Sequence, residues 1–433
     1  MQKNNPQKKK KINAGRCVSE SATFGIICGT SVWIEMKVCF ETFGCRLNRA
    51  EALDREAECI ARGWKVVNSH ADADLFIVRG CSVTERAQRD TERLIAHLKR
   101  KYPLKKIIVE GCIKNEESLF SRKSPLDVKI KDTSDIPVPT RTARAYLKVQ
   151  DGCNGKCTFC IVPQFRGKSR SLPFEQALDK AKRFIEAGYH EIVVTGCNLS
   201  LYASDGKKLP ELLDSLSSLE SPDGPGGCRI RIGSLTPGDC AADVVALMSE
   251  RKSICRFLHI PVQSGSLKML SAMGRQYTVK DVERLAAKAL ELMPFVALGC
   301  DLMTGFPGET EMDFLATKGL LKRIPFSNAH IFPFSKRPGT VAAALPGAVP
   351  VNVRRTRAHL LANISLANRI AFAKKFIGKT VEIVVESSDS CEGWTAEYLA
   401  CKSNGFAFRK SIAKILVTRV HRDASLEGLL RRH

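Results

Sequence analysis

Apolar residues along the chain gather into short runs of strand character, separated by charged segments of helical period. Three such runs lie between residues 36 and about 120. "KVCFETFGC", "ADLFIVRGC" and "KKIIVEGC" each close on Gly-Cys, at Cys45, Cys81 and Cys112. The intervening "NRAEALDREAECIARG" and "TERAQRDTERLIAHLKRK" carry the helical pattern. Alternation of this kind predicts an N-terminal α/β domain with a parallel sheet, over residues 36–135. Loops after the carboxyl ends of parallel strands share one edge, so the three cysteines are expected to converge.

Residues 121–142 mix Pro, Ser and alternating charge without a period and read as a linker. A second series starts at Ala145, with candidate strands "AYLKVQ", "EIVVTG", "RIRIGSL", "RFLHIPVQ", "ALGCDLMTGF" and "NAHIFPFS". Helical patterns lie between them, which predicts a central partial (β/α)6 barrel over 140–372 with functional residues at the strand C-termini. The helical "RRTRAHLLANISLANRIAFAKKFIG" closes that series. Short strands and turns follow over 376–433, predicting a small C-terminal β-barrel.

At 433 residues the chain is long enough for two or three domains, and its formal net charge of +23 favours a polyanionic partner, nucleic acid first. Residues 1–35 hold six basic and two acidic residues, and without them the charge is still +19. Their basic start followed by "ATFGIICGTSVWI" superficially copies a signal peptide, but no A-x-A-like cleavage site follows. They are read as a disordered basic extension, with translation expected to begin at Met36. No stretch of 18 apolar residues occurs, so no membrane association is expected. Seventeen cysteines, an odd number in a long chain, fit reduced thiols and metal ligation in the cytoplasm better than a disulfide scaffold.

The densest chemistry is "DGCNGKCTFCIVP", which puts Cys153, Cys157 and Cys160 within eight residues just after a predicted strand. Three thiolates on a four-iron cluster leave one iron open to chelate a small molecule, and a strongly reducing cluster can pass that molecule an electron. The best candidate is S-adenosylmethionine. The alternative is a zinc knot completed by Cys197 or His190, although C-x3-C-x2-C lacks the second close pair of a structural zinc site. For each N-terminal cysteine alone a buried apolar thiol is the simpler reading. As a set at equivalent strand exits, ligation is favoured.

These residues resemble the radical SAM methylthiotransferases. "QDGCNGKCTFCIVPQFRGKSRS" follows that family's cluster loop nearly position for position, and Cys45, Cys81 and Cys112 correspond in order to its N-terminal cysteines. Asn48 and Glu51 match its GC-x2-N-x2-E pattern; Arg79-Gly80 and "GCIKN" depart from its usual residues. The resemblance runs from Met36 to the C-terminus. It implies two [4Fe-4S] clusters, on Cys153, Cys157 and Cys160 and on Cys45, Cys81 and Cys112, with S-adenosylmethionine as both radical source and methyl donor. It implies too that Phe159, Thr195 and Gly196 lie at the cofactor, and that an external one-electron reductant and a sulfur donor take part. The other eleven cysteines are read as core or incidental.

Other barrel loops fit cofactor recognition. Gly305, Pro307 and Gly308 would let backbone approach an adenosine moiety, or make an ordinary strand-to-helix turn. His259, Gln263 and Ser264 occupy another strand exit, and Arg229 and Arg231 either reach a cofactor carboxylate or form a salt-bridged pair. The C-terminal module resembles the TRAM domain of RNA-modifying enzymes. Its Lys379, Arg409, Lys410, Lys414, Arg419 and Arg422 suit phosphate contacts, or simply a solvated surface. "HIFPFSKRPGT" resembles the branch that methylthiolates threonylcarbamoyladenosine in tRNA, where Lys336 and Arg337 could pair the substrate carboxylate. Isopentenyladenosine, a ribosomal protein, or a zinc-bearing RNA-binding role without catalysis are the alternatives.

Overall fold

The computed structural model describes residues 35–113, 138, 141–221, 227–387 and 389–431. The expected extension over 1–35 and linker over 121–142 lie almost wholly outside them.

The N-terminal sheet is fully parallel, in the order β2-β1-β3-β4, from β1 (Lys37–Thr42), β2 (Lys65–Val67), β3 (Leu75–Cys81) and β4 (Lys106–Cys112). The edge strand β2 was not among the three sequence runs; at three residues it is too short to show a period. Helix α1 (Arg46–Ala61) starts directly at Cys45, and α2 (Glu85–Lys101) is capped by the Thr84 hydroxyl, which accepts from Ala87 N at 3.2 Å. Glu85 sits in the first turn of α2 and Lys99, Arg100 and Lys101 in the last, as the helix dipole favours. Small cores cover both sheet faces, Cys39, Phe76, Val78 and Leu98 on one and Val38, Phe40 and Ile77 on the other.

Six parallel strands follow: β5 (Ala145–Lys148), β6 (Glu191–Thr195), β7 (Arg229–Ile232), β8 (Phe257–Gln263), β9 (Ala297–Thr304) and β10 (Phe326–Pro333). They pair as β7-β6-β5 and β8-β9-β10, and parallel bridges from Ile230 to Ile254 and from Ser234 to His259 connect the halves. Strand order thus equals chain order, as in an incomplete (β/α) barrel, and all six strands match the sequence runs. Among the described residues β5 and β10 do not pair, so the barrel stays open. The largest core lies between these strands and their helices. Helix α1 meets the barrel through Ala50 and Leu53 against Tyr146 and Val193.

The C-terminal strands Thr380–Ser387, Glu392–Thr395, Ala400–Ser403, Ile412–Val420 and Leu426–Leu430 close into a barrel. Its core continues onto Phe257 and Ala297 of the central barrel and Phe372 and Phe376 at the end of the last long helix (Val351–Lys374). Among the described residues no helix is long and apolar enough to cross a membrane.

Candidate functional site

The loop carrying Cys153, Cys157 and Cys160 is pinned from several sides. Gly152 has φ +67°, and a Cβ there would fall 2.1 Å from Lys168 O, so only glycine fits. Cys153 N donates to Gly167 O (3.1 Å) and Cys160 N to Cys157 O (3.1 Å). Buried Gln150 donates through Nε2 to Gly152 O (2.7 Å) and Ser169 Oγ (2.9 Å), while its Oε1 accepts from Asn198 N (2.8 Å). Thr158 ties the far side to Met273 O and Ala272 O, and Phe159 packs with Met269, Met273 and Phe306.

The Cys153 and Cys157 thiols face a common space beside Gly155, and Cys160 is near enough to feel the charge of both. A Cβ on Gly155 would lie 3.2 Å from Cys153 Sγ and 3.8 Å from Cys157 Sγ, and Gly155 N points at Cys153 Sγ from 3.3 Å. Arg275 NH1 donates to Cys157 Sγ at 3.1 Å, with its other nitrogens on Tyr277 Oη and Pro261 O. Burial pushes the Cys160 thiol up to about 11. A metal cluster would displace that proton, since cysteine ligates as the thiolate. Three thiols and no other donor type, closely spaced on one pinned loop, fit an iron-sulfur cluster.

The second set assembles as strand register requires. Cys81 and Cys112 are direct neighbours on β3 and β4, and a Cβ on Gly44 would lie 3.0 Å from Cys81 Sγ, bringing Cys45 beside them. Cys81 and Cys112 are buried and Cys45 is exposed. Burial raises Cys112 to about 11 against the pull of Arg166. A mononuclear zinc ion needs all its donors in one coordination sphere. Among the described residues only Cys39, Glu41 and His70 bring three ligating atoms within 4.8 Å, and there His70 Nε2 already pairs with Glu41 Oε1 at 2.7 Å. Cys197 Sγ lies 3.6 Å from Asp151 Oδ1 beside the cluster loop, and His190 Nδ1 lies 3.4 Å from Gly227 O.

Arg166, which no sequence pattern marks, links Cys112 to Asp151 at the base of the other cysteine loop. It ends the short helix Val162–Arg166 after the cluster loop, and its side chain reaches the N-terminal sheet. Nε donates to Cys112 Sγ (2.9 Å), NH1 to Glu51 Oε1 (2.8 Å) and Asp151 Oδ1 (3.1 Å), and NH2 to Asn48 Oδ1 (2.8 Å) and Glu51 Oε2 (3.1 Å). Fully buried Asn48 holds Phe43 O and Gly80 O through Nδ2. Burial alone would raise the Glu51 carboxyl, yet Arg166, Arg79 and Lys148 hold it well below the usual range. Arg79, one of the departures from the family pattern, pairs with Glu51 and with Glu110 Oε2 (2.8 Å), so this chain surrounds Glu51 with cations.

The remaining sequence candidates divide. Thr195 is buried at the end of β6, and a Cβ on Gly196 would strike Gln150, which places both beside the cluster loop. Gln263 ends β8 with φ +67° and a buried Oε1 that has no partner among the described residues. An orphaned buried acceptor in strained backbone is a feature that a bound ligand explains. Ser264 lies 3.2 Å from the Thr317 hydroxyl. His259 Nε2 lies 3.0 Å from Asp301 Oδ2, and His330 Nδ1 3.2 Å from Asp301 Oδ1.

Three expectations change. Gly305 has φ +70°, but the space a Cβ would take is filled by the Arg354 stem, so that side chain demands the glycine, not an adenosine. Gly308 N donates to Gly347 O at 2.8 Å, with Pro307 between the two glycines. Arg231 exposes no surface: it pairs with Glu191 and donates to Thr395 O (2.8 Å) and Ala396 O (3.2 Å) of the C-terminal barrel, so it is unavailable to a cofactor. Arg229 likewise binds Glu191, Glu382 O and Trp394 O. Arg337 is buried, donating to Gln88 Oε1 of α2 (2.7 Å) and Ser335 Oγ (2.8 Å), and so spans to the N-terminal domain instead of meeting a substrate. Lys336 is exposed.

On the C-terminal barrel, Lys379, Arg409, Arg419 and Arg422 are exposed, Lys414 is half-buried, and Lys410 lies 3.9 Å above the Tyr189 ring. Phe406 and Phe408, which composition did not single out, are 63% and 74% exposed and meet edge to face at 5.2 Å.

Residues 147–321 match the Radical SAM superfamily, and residues 37–130 match the uncharacterized protein family UPF0004. The chain is 32% identical over 377 residues to the threonylcarbamoyladenosine tRNA methylthiotransferase MtaB of Thermotoga maritima, covering 80% of this chain and 86% of that one. To the Bacillus subtilis protein of the same name it is 31% identical, covering 81% and 85%. It is also 32% identical to the tRNA-2-methylthio-N(6)-dimethylallyladenosine synthase of Chlorobium phaeovibrioides, covering 80% and 85%. In fold it resembles the radical S-adenosylmethionine methyltransferase TsrM of Kitasatospora setae, with a TM-score of 0.51 at 14% identity over 71% of this chain and 75% of that one.

Proposed function

Because the chain belongs to the radical SAM methylthiotransferase family, we propose that it adds a methylthio group to C2 of N6-threonylcarbamoyladenosine beside the anticodon of tRNA. The observation that carries this reading is the pair of three-cysteine sets, each one thiol short of a complete four-iron site and joined through Arg166. Cys153, Cys157 and Cys160 would hold one [4Fe-4S] cluster, and Cys45, Cys81 and Cys112 the auxiliary one. Bound there, the clusters and S-adenosylmethionine supply the electron, the radical, the sulfur and the methyl group. The protein's own part is positioning. Gln150 and Gly152 fix the first loop, and we assign Thr195, Gly196, Phe159 and the orphaned Gln263 Oε1 to the cofactor's place. An external one-electron reductant and a sulfur donor complete the cycle, in the cytoplasm.

Exposed Lys336 gives the threonylcarbamoyl carboxylate a counter-ion, whereas an isopentenyl group offers no anion. The C-terminal barrel, read as a TRAM-like RNA-binding domain, adds exposed cations for phosphate and the Phe406–Phe408 pair as a stacking surface for unpaired bases. Nucleoside analysis of tRNA from a strain lacking the gene tests the assignment. Loss of 2-methylthio-threonylcarbamoyladenosine is expected; its persistence alongside loss of the isopentenyl counterpart would move the enzyme to the other substrate.

A further inference from the structure

All five N–H donors of Arg166 are engaged, and four of those contacts go to Cys112, Asn48 and Glu51 of the N-terminal domain. The fifth goes to Asp151, two residues before the first cysteine of the other set. A planar fork suits such a task, because its donors are fixed relative to one another and a lysine cannot reproduce them. Glu51 and Asp151 both pair with Arg166 and with Lys148, which donates to them at 2.7 and 3.2 Å, while Arg79 adds a further cation on Glu51 and Arg170 one on Asp151. A guanidinium that served only as an ion-pair partner would have no need to turn Nε onto a sulfur.

We propose that Arg166 is a positioning residue that couples the two metal centres, tuning the auxiliary cluster through Cys112 while fixing its distance from the Cys153 loop. The inference rests on the two-cluster reading given above. An N–H···S bond from a cation stabilises the more negative, reduced form of a cluster and therefore raises its reduction potential. The rigid link to Asp151 holds the sulfur-bearing site against the site of hydrogen abstraction, so that each radical formed leads to sulfur transfer.

The test uses the full chain, anaerobically reconstituted, as wild type, Arg166→Gln and Arg166→Lys. The auxiliary centre is read by EPR-monitored redox titration in a Cys153→Ala, Cys157→Ala, Cys160→Ala background. Arg166→Gln is expected to shift the auxiliary potential downward and, with all cysteines present, to raise the 5′-deoxyadenosine formed per methylthiolated product several-fold. Arg166→Lys keeps the charge and should show a smaller potential shift with the same excess of 5′-deoxyadenosine. It also decides the matter should the Gln variant fail to assemble its cluster. Eight irons per chain with unchanged potential and unchanged product ratio in the assembled variants overturns the role of Arg166 alone. A wild-type chain that holds only four irons overturns the two-cluster reading as well.

Discussion

Arg231 Nε lies 2.7 Å from Glu191 Oε1, and neither side chain exposes any surface. Burial would push the Glu191 carboxyl up, but Arg231, then Arg229 and Arg144, bring it down to about 2. Because this folded value lies below the unfolded one, its stabilisation is complete above about pH 4.5 and is lost as the pH falls toward 2. Removing one partner of a buried pair strands the other's charge, so Glu191→Ala should cost about 3–5 kcal/mol in denaturant unfolding. Since Arg229 and Arg231 also hold carbonyls of the C-terminal barrel, limited proteolysis should then cut first near residues 375–379.

Cys157→Ala should abolish 5′-deoxyadenosine formation, whereas Cys81→Ala should spare it and stop sulfur transfer. Chromatographic assay of both products checks this. Equal loss of S-adenosylmethionine cleavage in the two variants would refute the division of labour between the sets.

Arg275 is to Cys157 what Arg166 is to Cys112, a guanidinium on one sulfur of three. Arg275→Gln should lower the potential of the Cys153, Cys157, Cys160 centre and slow reductive cleavage at a fixed reductant potential. A titration that superimposes on wild type would show that the contact is only structural.

Phe406→Ala and Phe408→Ala should each weaken tRNA binding by about 1–3 kcal/mol if their rings stack on bases. Filter binding at several salt concentrations separates this from phosphate contacts, because loss of a stacking ring leaves the salt slope unchanged.

Much of this molecule was legible in the sequence. All six central strands, three of four N-terminal strands and the convergence of Cys45, Cys81 and Cys112 follow from period and from the shared edge of parallel strands. The arginines were not. Arg166, Arg231 and Arg337 look alike in a sequence, and their roles depend on partners 115, 40 and 249 residues away, at distances that no local pattern encodes. Gly305 shows the same limit, because the atom that forbids a side chain there belongs to Arg354, on a helix almost fifty residues later.

Among the described residues the edges of β5 and β10 do not pair with each other. Helix α1 packs on β5 at Tyr146, and the helix Val351–Lys374 lies along β10, where Ala329 N donates to Ser365 Oγ at 3.2 Å. The seam that strand pairing leaves unfinished is therefore flanked by helices drawn from before and after the barrel in the chain, so a substitution there touches packing well outside the strands themselves.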